Sequence, residues 1–177
     1  MPPKHLLLTG YRGCGKSAIG QLLSQLLSRD LIDTDLAIES AAGKTIAEIF
    51  TELGHEGFRD LESDQIASLV SITQPVIISL GGGAILRPEN RQRIRSLGKT
   101  VWLQATPKTI HDRVANDRST QTRRPKLSQL GDLEEIRSIL EVRMPLYQEV
   151  ADLVVSTDGR TTDEVACIVA EWVRSLP

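Results

Sequence analysis

Aromatic side chains are scarce, only 3% of 177 residues, with two each of Phe, Trp and Tyr. A core built by this chain must therefore be mostly Leu, Ile, Val and Ala. Cysteine is nearly absent. Cys14 and Cys167 stand far apart, with neither metal-ligand spacing nor a disulfide framework. They read as reduced thiols of a cytoplasmic protein. Neither sign of charge dominates: 21 Lys and Arg against 23 Asp and Glu give a net charge of -2. That balance argues against general nucleic-acid binding. No apolar run approaches the roughly 20 residues of a membrane-spanning helix. The first strand is expected by about residue 5, which leaves no room for a signal or transit peptide. Repeats and low-complexity stretches are missing too. The length suits one domain, 1–177, with a substantial core.

What the chain does have is a glycine-rich run near its start. Gly10, Gly15, Lys16 and Ser17 fill the pattern G-x-x-x-x-G-K-[ST] without mismatch. Before it, residues 5–9 read as a buried strand. After it, Ile19, Leu22, Leu23, Leu26 and Leu27 have helical spacing. Strand, loop and helix in that order are the setting of a phosphate-binding P-loop. Glycines let backbone N–H groups turn inward around an anion, and the new helix adds its positive end. Lys16 supplies charge for outer phosphates, and Ser17 a hydroxyl for Mg²⁺. Cys14, in this same N–H-rich loop, is expected to have a lowered pKa.

Further along, residues 31–35 read as a short strand ending in Asp33 and Asp35, two apart and so on one side of an extended chain. One carboxylate could organise Mg²⁺ through water and the other meet a substrate hydroxyl. Equally, one could simply cap the helix expected over 36–42. Thr45 and Glu48 form a capping box for a helix over 45–53, which Gly54 is expected to end. A second helix is expected over 56–72. Arg59 and Glu62 share one of its faces, as a site or as a solvated charged surface. The buried strand signal of 75–80 runs into Gly81, Gly82 and Gly83, either a close approach to a ligand or a tight turn.

A strand over 100–104 and a helix over 109–116 follow. The stretch 117–126 has no large apolar residue and four Arg or Lys among ten. It reads as a basic lid over a polyphosphate or as a solvated loop. A helix over 132–149 holds Arg137, Arg143 and Tyr147, and Pro145 is expected to kink or interrupt it. A last strand, 152–156, and a striped helix, 161–176, complete an alternation of five strands with helices. That is the pattern of an α/β fold with a mostly parallel sheet.

The set of motifs resembles the shikimate kinases over nearly the whole chain. The matching pieces are the P-loop, Asp33-Thr34-Asp35, Gly57 to Glu62, Gly81 to Gly83, Arg124-Pro125, and Arg143 to Tyr147. The resemblance implies a P-loop, nucleoside-monophosphate-kinase-like fold with a five-stranded parallel sheet flanked by helices. It implies ATP-dependent phosphorylation of the 3-hydroxyl of shikimate on the route to aromatic amino acids. It further implies that Gly13, Cys14, Gly15, Lys16, Ser17 and Ala18 wrap the phosphates, and that Ser17 and Asp33 serve Mg²⁺. Asp35 would hold the reacting hydroxyl. Arg59, Gly82 and Arg143 would bind the shikimate carboxylate, within a substrate region of about 33–62. Arg124 would reach the transferring phosphate from a lid of about 117–128. Arg113 or Arg118 would stack on adenine, with Arg160 a further nucleotide contact. The partners implied are ATP and shikimate, with no nucleic acid and no membrane, for a cytoplasmic monomer. One departure stands in the lid, where Lys126 follows Arg124-Pro125 in place of the family's usual Leu. A related kinase, such as a gluconate kinase, is the alternative. The guanine-reading Asn-Lys-x-Asp run of GTPase switches is absent.

Overall fold

The computed structural model describes residues 5–116 and 132–177. Five parallel strands form one sheet: β1 (His5–Thr9), β2 (Leu31–Asp33), β3 (Ile77–Ser79), β4 (Gly98–Gln104) and β5 (Leu153–Ser156), in the order β2-β3-β1-β4-β5. The helices are α1 (Lys16–Leu27), α2 (Thr34–Ala42), α3 (Ile46–Ser68), α4 (Pro88–Leu97), α5 (Pro107–Asn116), α6 (Asp132–Val150) and α7 (Thr162–Ser175).

Strand β1 is central, pairing with β3 through Leu6↔Ile77 and with β4 through Leu8↔Val101. Covered on both faces, it reads as unbroken leucine rather than as an alternation. Its period of two still sorts the side chains. Leu6 and Leu8 join Ile19 and Leu23 of α1 and Val165 and Val169 of α7. Leu7 faces the opposite layer, with Ile66, Ile94 and Tyr147. Each such side chain, fully buried, contributes about 1.5–3 kcal/mol. Because all strands run the same way, their carboxyl ends line one rim, where ligands of open α/β sheets sit.

Gly54 separates two helical segments as expected, a non-helical joint at φ 68 within α3. Two local expectations change. The second half of α3 ends at Ser68, and a 3₁₀ turn, Leu69–Ser71, takes over. Pro145 neither interrupts α6 nor ends it. The backbone penalty of about 3 kcal/mol is outweighed by burial on both sides, of Ile136 and Leu140 before it and Tyr147 and Val150 after it.

Candidate active site

The rim is assembled by three short connections. The first follows β1. Gly10 lies so close to the Leu103 carbonyl that a Cβ there would collide with it. Gly15 caps α1 in the left-handed conformation, φ 87. Lys16 Nζ donates to the carbonyls of Gly10 at 2.8 Å and Tyr11 at 3.0 Å. Ser17 and Ala18 are exposed in the first turn of α1. Arg113 braces the loop from α5: its Nη1 reaches the Gly13 carbonyl at 3.3 Å and Thr157 Oγ1 at 2.9 Å, and its Nη2 the Thr157 carbonyl at 2.8 Å. Arg160 donates to the Ser156 carbonyl at 2.6 Å, on the exposed turn after β5. Cys14 overturns its expectation. The thiol is buried, and burial pushes its pKa up against the opposing charges of Lys16 and Arg113.

The second connection joins β2 to α2. Asp33 does two jobs. Its Oδ1 accepts the N–H groups of Asp35 at 3.0 Å and Leu36 at 3.3 Å, capping α2. Its Oδ2 accepts the Ser17 hydroxyl at 2.8 Å. Thr34 between the acids is buried; it donates to the Ser79 carbonyl at 3.2 Å and accepts from Gly81 N–H at 3.0 Å. Sequence reasoning passed over Thr34, although its place between two candidate acids on a strand end was the available signal.

The third connection, Gly81 to Gly83 after β3, explains its own composition. A Cβ on Gly81 would stand 2.6 Å from Asp35 Oδ1 and 2.8 Å from Glu62 Oε1. On Gly82 it would stand 3.4 Å from the Gly10 carbonyl oxygen. On Gly83 it would stand 2.5 Å from Arg59 Cζ. Each glycine thus yields room to a different part of the rim.

These connections and α3 surround a cleft floored by Ile46, Phe50 and Phe58 and ringed by Asp35, Arg59 and Arg143. Arg59 lies over the Phe58 ring, 5.0 Å from its centroid, and pairs with Glu62. Glu62 is not on a solvated surface; it is 1% exposed, and burial pushes its carboxyl up while Arg59 opposes that shift. Arg143 Nη1 donates to the Gly82 carbonyl at 3.1 Å, and the Tyr147 hydroxyl donates to the same oxygen at 2.6 Å. Burial raises the Tyr147 pKa, which keeps it a donor. Its ring stacks on Trp102, centroids 5.6 Å apart. So Asp35, Arg59, Gly82 and Arg143 meet at one cleft beside the P-loop. Arg113 and Arg160 lie on the loop's other flank, toward the ends of β4 and β5. Arg118, Arg124 and the basic stretch around them lie outside the described residues.

A family model for shikimate kinase matches residues 12–174. The chain belongs to the shikimate kinase family. A shikimate kinase of Rhodopirellula baltica is 46% identical, covering 99% of this chain and 91% of its relative. One of Symbiobacterium thermophilum is 38% identical, covering 94% of each. The structure of the shikimate kinase from Acinetobacter baumannii in complex with shikimate superposes with a TM-score of 0.89 at 31% identity, covering 97% of this chain and 93% of that one. A gluconokinase from Sinorhizobium meliloti, at 17% identity and a TM-score of 0.58, shares the fold alone. The fold is therefore the P-loop kinase fold of the shikimate kinases, a five-stranded parallel sheet flanked by helices.

Proposed function

We propose that this chain transfers the γ-phosphoryl group of ATP to the 3-hydroxyl of shikimate, giving shikimate 3-phosphate and ADP, in the chorismate route to aromatic amino acids. The observation that carries this reading is the cleft. It sets the guanidiniums of Arg59 and Arg143, with Arg12 beside them, and the carboxylates of Asp35 and Glu62, the latter paired with Arg59, around an apolar floor next to a P-loop. A small ring acid bearing hydroxyls needs that combination: ring faces over Phe50 and Phe58, a carboxylate on paired arginines, a hydroxyl on an acceptor.

In this reading the phosphates of ATP lie against the N–H groups of Gly13 to Ala18, Cys14 and Gly15 among them. Lys16 exchanges its carbonyl partners for phosphate oxygens, where its charge opposes the build-up of negative charge during transfer. Asp35 orients the hydroxyl. As its oxygen bonds to Pγ, the bond from Pγ to the β-phosphate oxygen breaks, ADP leaves, and the hydroxyl proton passes to Asp35. Arg124, outside the described residues, is assigned to the transferring phosphate. Arg113, half-buried and fixed by its hydrogen bonds to Gly13 and Thr157, is assigned to the base, and Arg160 adds a cation on the same side.

Mg²⁺ suits the Ser17 and Asp33 pair. The hydroxyl donates its proton to Asp33 Oδ2, which leaves its lone pairs for an ion. Among the described residues no group of three or more His, Cys, Asp or Glu could hold a metal, and Mg²⁺ characteristically relies on one or two protein groups plus phosphates and water. Bound there, the ion would neutralise phosphate charge. We read the enzyme as a cytoplasmic monomer working on small molecules. The net charge of -2 supports the lack of a nucleic-acid partner, and among the described residues no helix is long and apolar enough to cross a membrane.

The test is an assay of purified protein with ATP, Mg²⁺ and either shikimate or gluconate, repeated with Arg59→Lys and Arg143→Lys. Shikimate is phosphorylated and gluconate is not. Each lysine variant raises the KM for shikimate by about 10- to 150-fold, the loss of a charge-assisted pair of about 1.5–3 kcal/mol, with little change in the KM for ATP. Gluconate turnover, or an unchanged shikimate KM in both variants, overturns the reading.

A further inference from the structure

Tyr11 has no counterpart in the work assigned so far. It follows Gly10 in the P-loop, yet it is 1% exposed and lines the cleft, with a second cavity bounded by Trp102 and Leu140 also touching it. Two guanidiniums lie over its ring, Arg12 at 5.8 Å and Arg143 at 5.7 Å from the centroid. Both distances are within the reach of a cation–π attraction. The main chain of Tyr11 keeps an anchor when Lys16 turns to phosphate: its carbonyl accepts the Cys14 N–H at 3.3 Å. The neighbouring Gly82 approaches the same stretch, its Cβ position only 3.5 Å from Arg12 N. The ring is therefore held from a rigid backbone.

Arg143 needs such a support. Among the described residues its Nη1 bonds the Gly82 carbonyl, beside the Tyr147 hydroxyl on the same oxygen, and other donors of its five stay available to a ligand. The Tyr11 ring face, 5.7 Å from Arg143 Cζ, favours one setting of the guanidinium over others. It also leaves the in-plane N–H groups open, because an aromatic face competes for the cation's face and not for its edge.

We propose that Tyr11 is a positioning residue for the acceptor substrate, its ring setting the plane in which Arg143 presents its donors to the substrate carboxylate. The proposal rests on the reading of Arg143 as a carboxylate ligand. It ties a P-loop side chain to the affinity for the acceptor and not to that for the nucleotide. An aliphatic side chain of similar bulk would fill the space without choosing an orientation.

The experiment is a set of steady-state kinetics on Tyr11→Leu and Tyr11→Phe, each alone and combined with Arg143→Lys. Tyr11→Leu raises the KM for shikimate by about 3- to 30-fold, the range for a lost cation–π contact, and changes the KM for ATP less than twofold. Tyr11→Phe, which keeps the ring, restores the shikimate KM to within twofold of wild type. In the Arg143→Lys background, Tyr11→Leu adds less than twofold. A merely structural role would move both KM values together and would persist in that background. Should Tyr11→Leu fail to fold, Tyr11→Met, unbranched and adaptable, is read in its place. A shikimate KM unmoved by loss of the ring, or an ATP KM that rises equally, overturns the proposal while leaving Arg143 in its role. If Arg143→Lys alone leaves the shikimate KM unchanged, the carboxylate reading fails and the proposal falls with it.

Discussion

Replacing Gly83 by Ala adds one methyl group at the back of the cleft, and the structure says what that methyl meets. It would stand 2.5 Å from Arg59 Cζ and 2.6 Å from Arg59 Nη2. Ordinary contact begins near 3.4 Å. The guanidinium must therefore withdraw by about 1 Å, a misplacement that in a reacting site can change rates about 100-fold. Backbone strain is not the cause, since Gly83 does not sit in the left-handed region. Arg59 cannot yield freely, because it is paired with buried Glu62 and lies over Phe58. If Arg59 binds the substrate carboxylate as proposed, losing that grip costs about 1.5–3 kcal/mol. The shikimate KM should rise about 10- to 150-fold, and the ATP KM less than twofold. A pH signature accompanies this. Burial already holds the Glu62 carboxyl above its ordinary value of 4.5, with Arg59 opposing. A carboxyl with a raised folded-state pKa favours folding most below its ordinary value and loses that contribution as pH rises through the folded-state value. Gly83→Ala, by loosening Arg59, should make thermal stability fall more steeply with rising pH above 4.5 than it does in the wild type. Steady-state kinetics and melting curves against pH measure both. A shikimate KM within twofold of wild type would show that Arg59 is not held where the substrate needs it.

Other expectations are simpler. Lys16→Ala should leave a folded protein, since Lys16 is not in the core, while lowering kcat by about 100-fold or more; circular dichroism beside turnover checks this, and near-normal turnover contradicts the P-loop role. Asp35→Asn keeps the shape but loses charge and basicity, so kcat should fall far more than ATP affinity, measured by nucleotide titration; the opposite pattern reverses the division between Asp33 and Asp35. Because burial raises the Cys14 pKa and Cys167 is exposed, one thiol should react quickly with an alkylating reagent in the native protein and two in denaturant; fast labelling of Cys14 in the native state contradicts its burial.

Much of this was legible in the sequence, for reasons that are local. The P-loop announces itself because each of its residue types answers to a backbone or charge requirement. The Thr45 capping box and the break at Gly54 are likewise short-range features, and both occur in α3. What was not legible depends on partners far away in the chain. Glu62 looked equally suited to solvent because the sequence does not reveal that Arg59 and Gly81 close over it. Cys14 was misjudged because a helix N-terminus and an N–H-rich loop argue for a thiolate, whereas the side chain turns into the core beside Ile19 and Ile110. The interruption allowed for at Pro145 does not occur, because helix propensity was weighed without the tertiary contacts of α6. Tyr147 belonged to a recognisable motif, but its bond to the Gly82 carbonyl is a property of the folded rim.

The strand order has a consequence for how the chain is made. β1 is synthesised first, yet it lies in the middle of the sheet, between β3 and β4. Its last residue is Thr9, and β4 is not complete until Gln104. At about 5–20 residues per second, roughly 5 to 20 s pass between those two events. For that interval the leucines of β1 and the apolar face of α1 have no finished sheet to join. The nucleotide loop, though nearly the first segment translated, is then among the last to acquire its shape. A nascent chain halted before β4 should accordingly be sticky and chaperone-dependent, and its P-loop should be unable to hold a phosphate until the distant strand that packs against Gly10 has arrived.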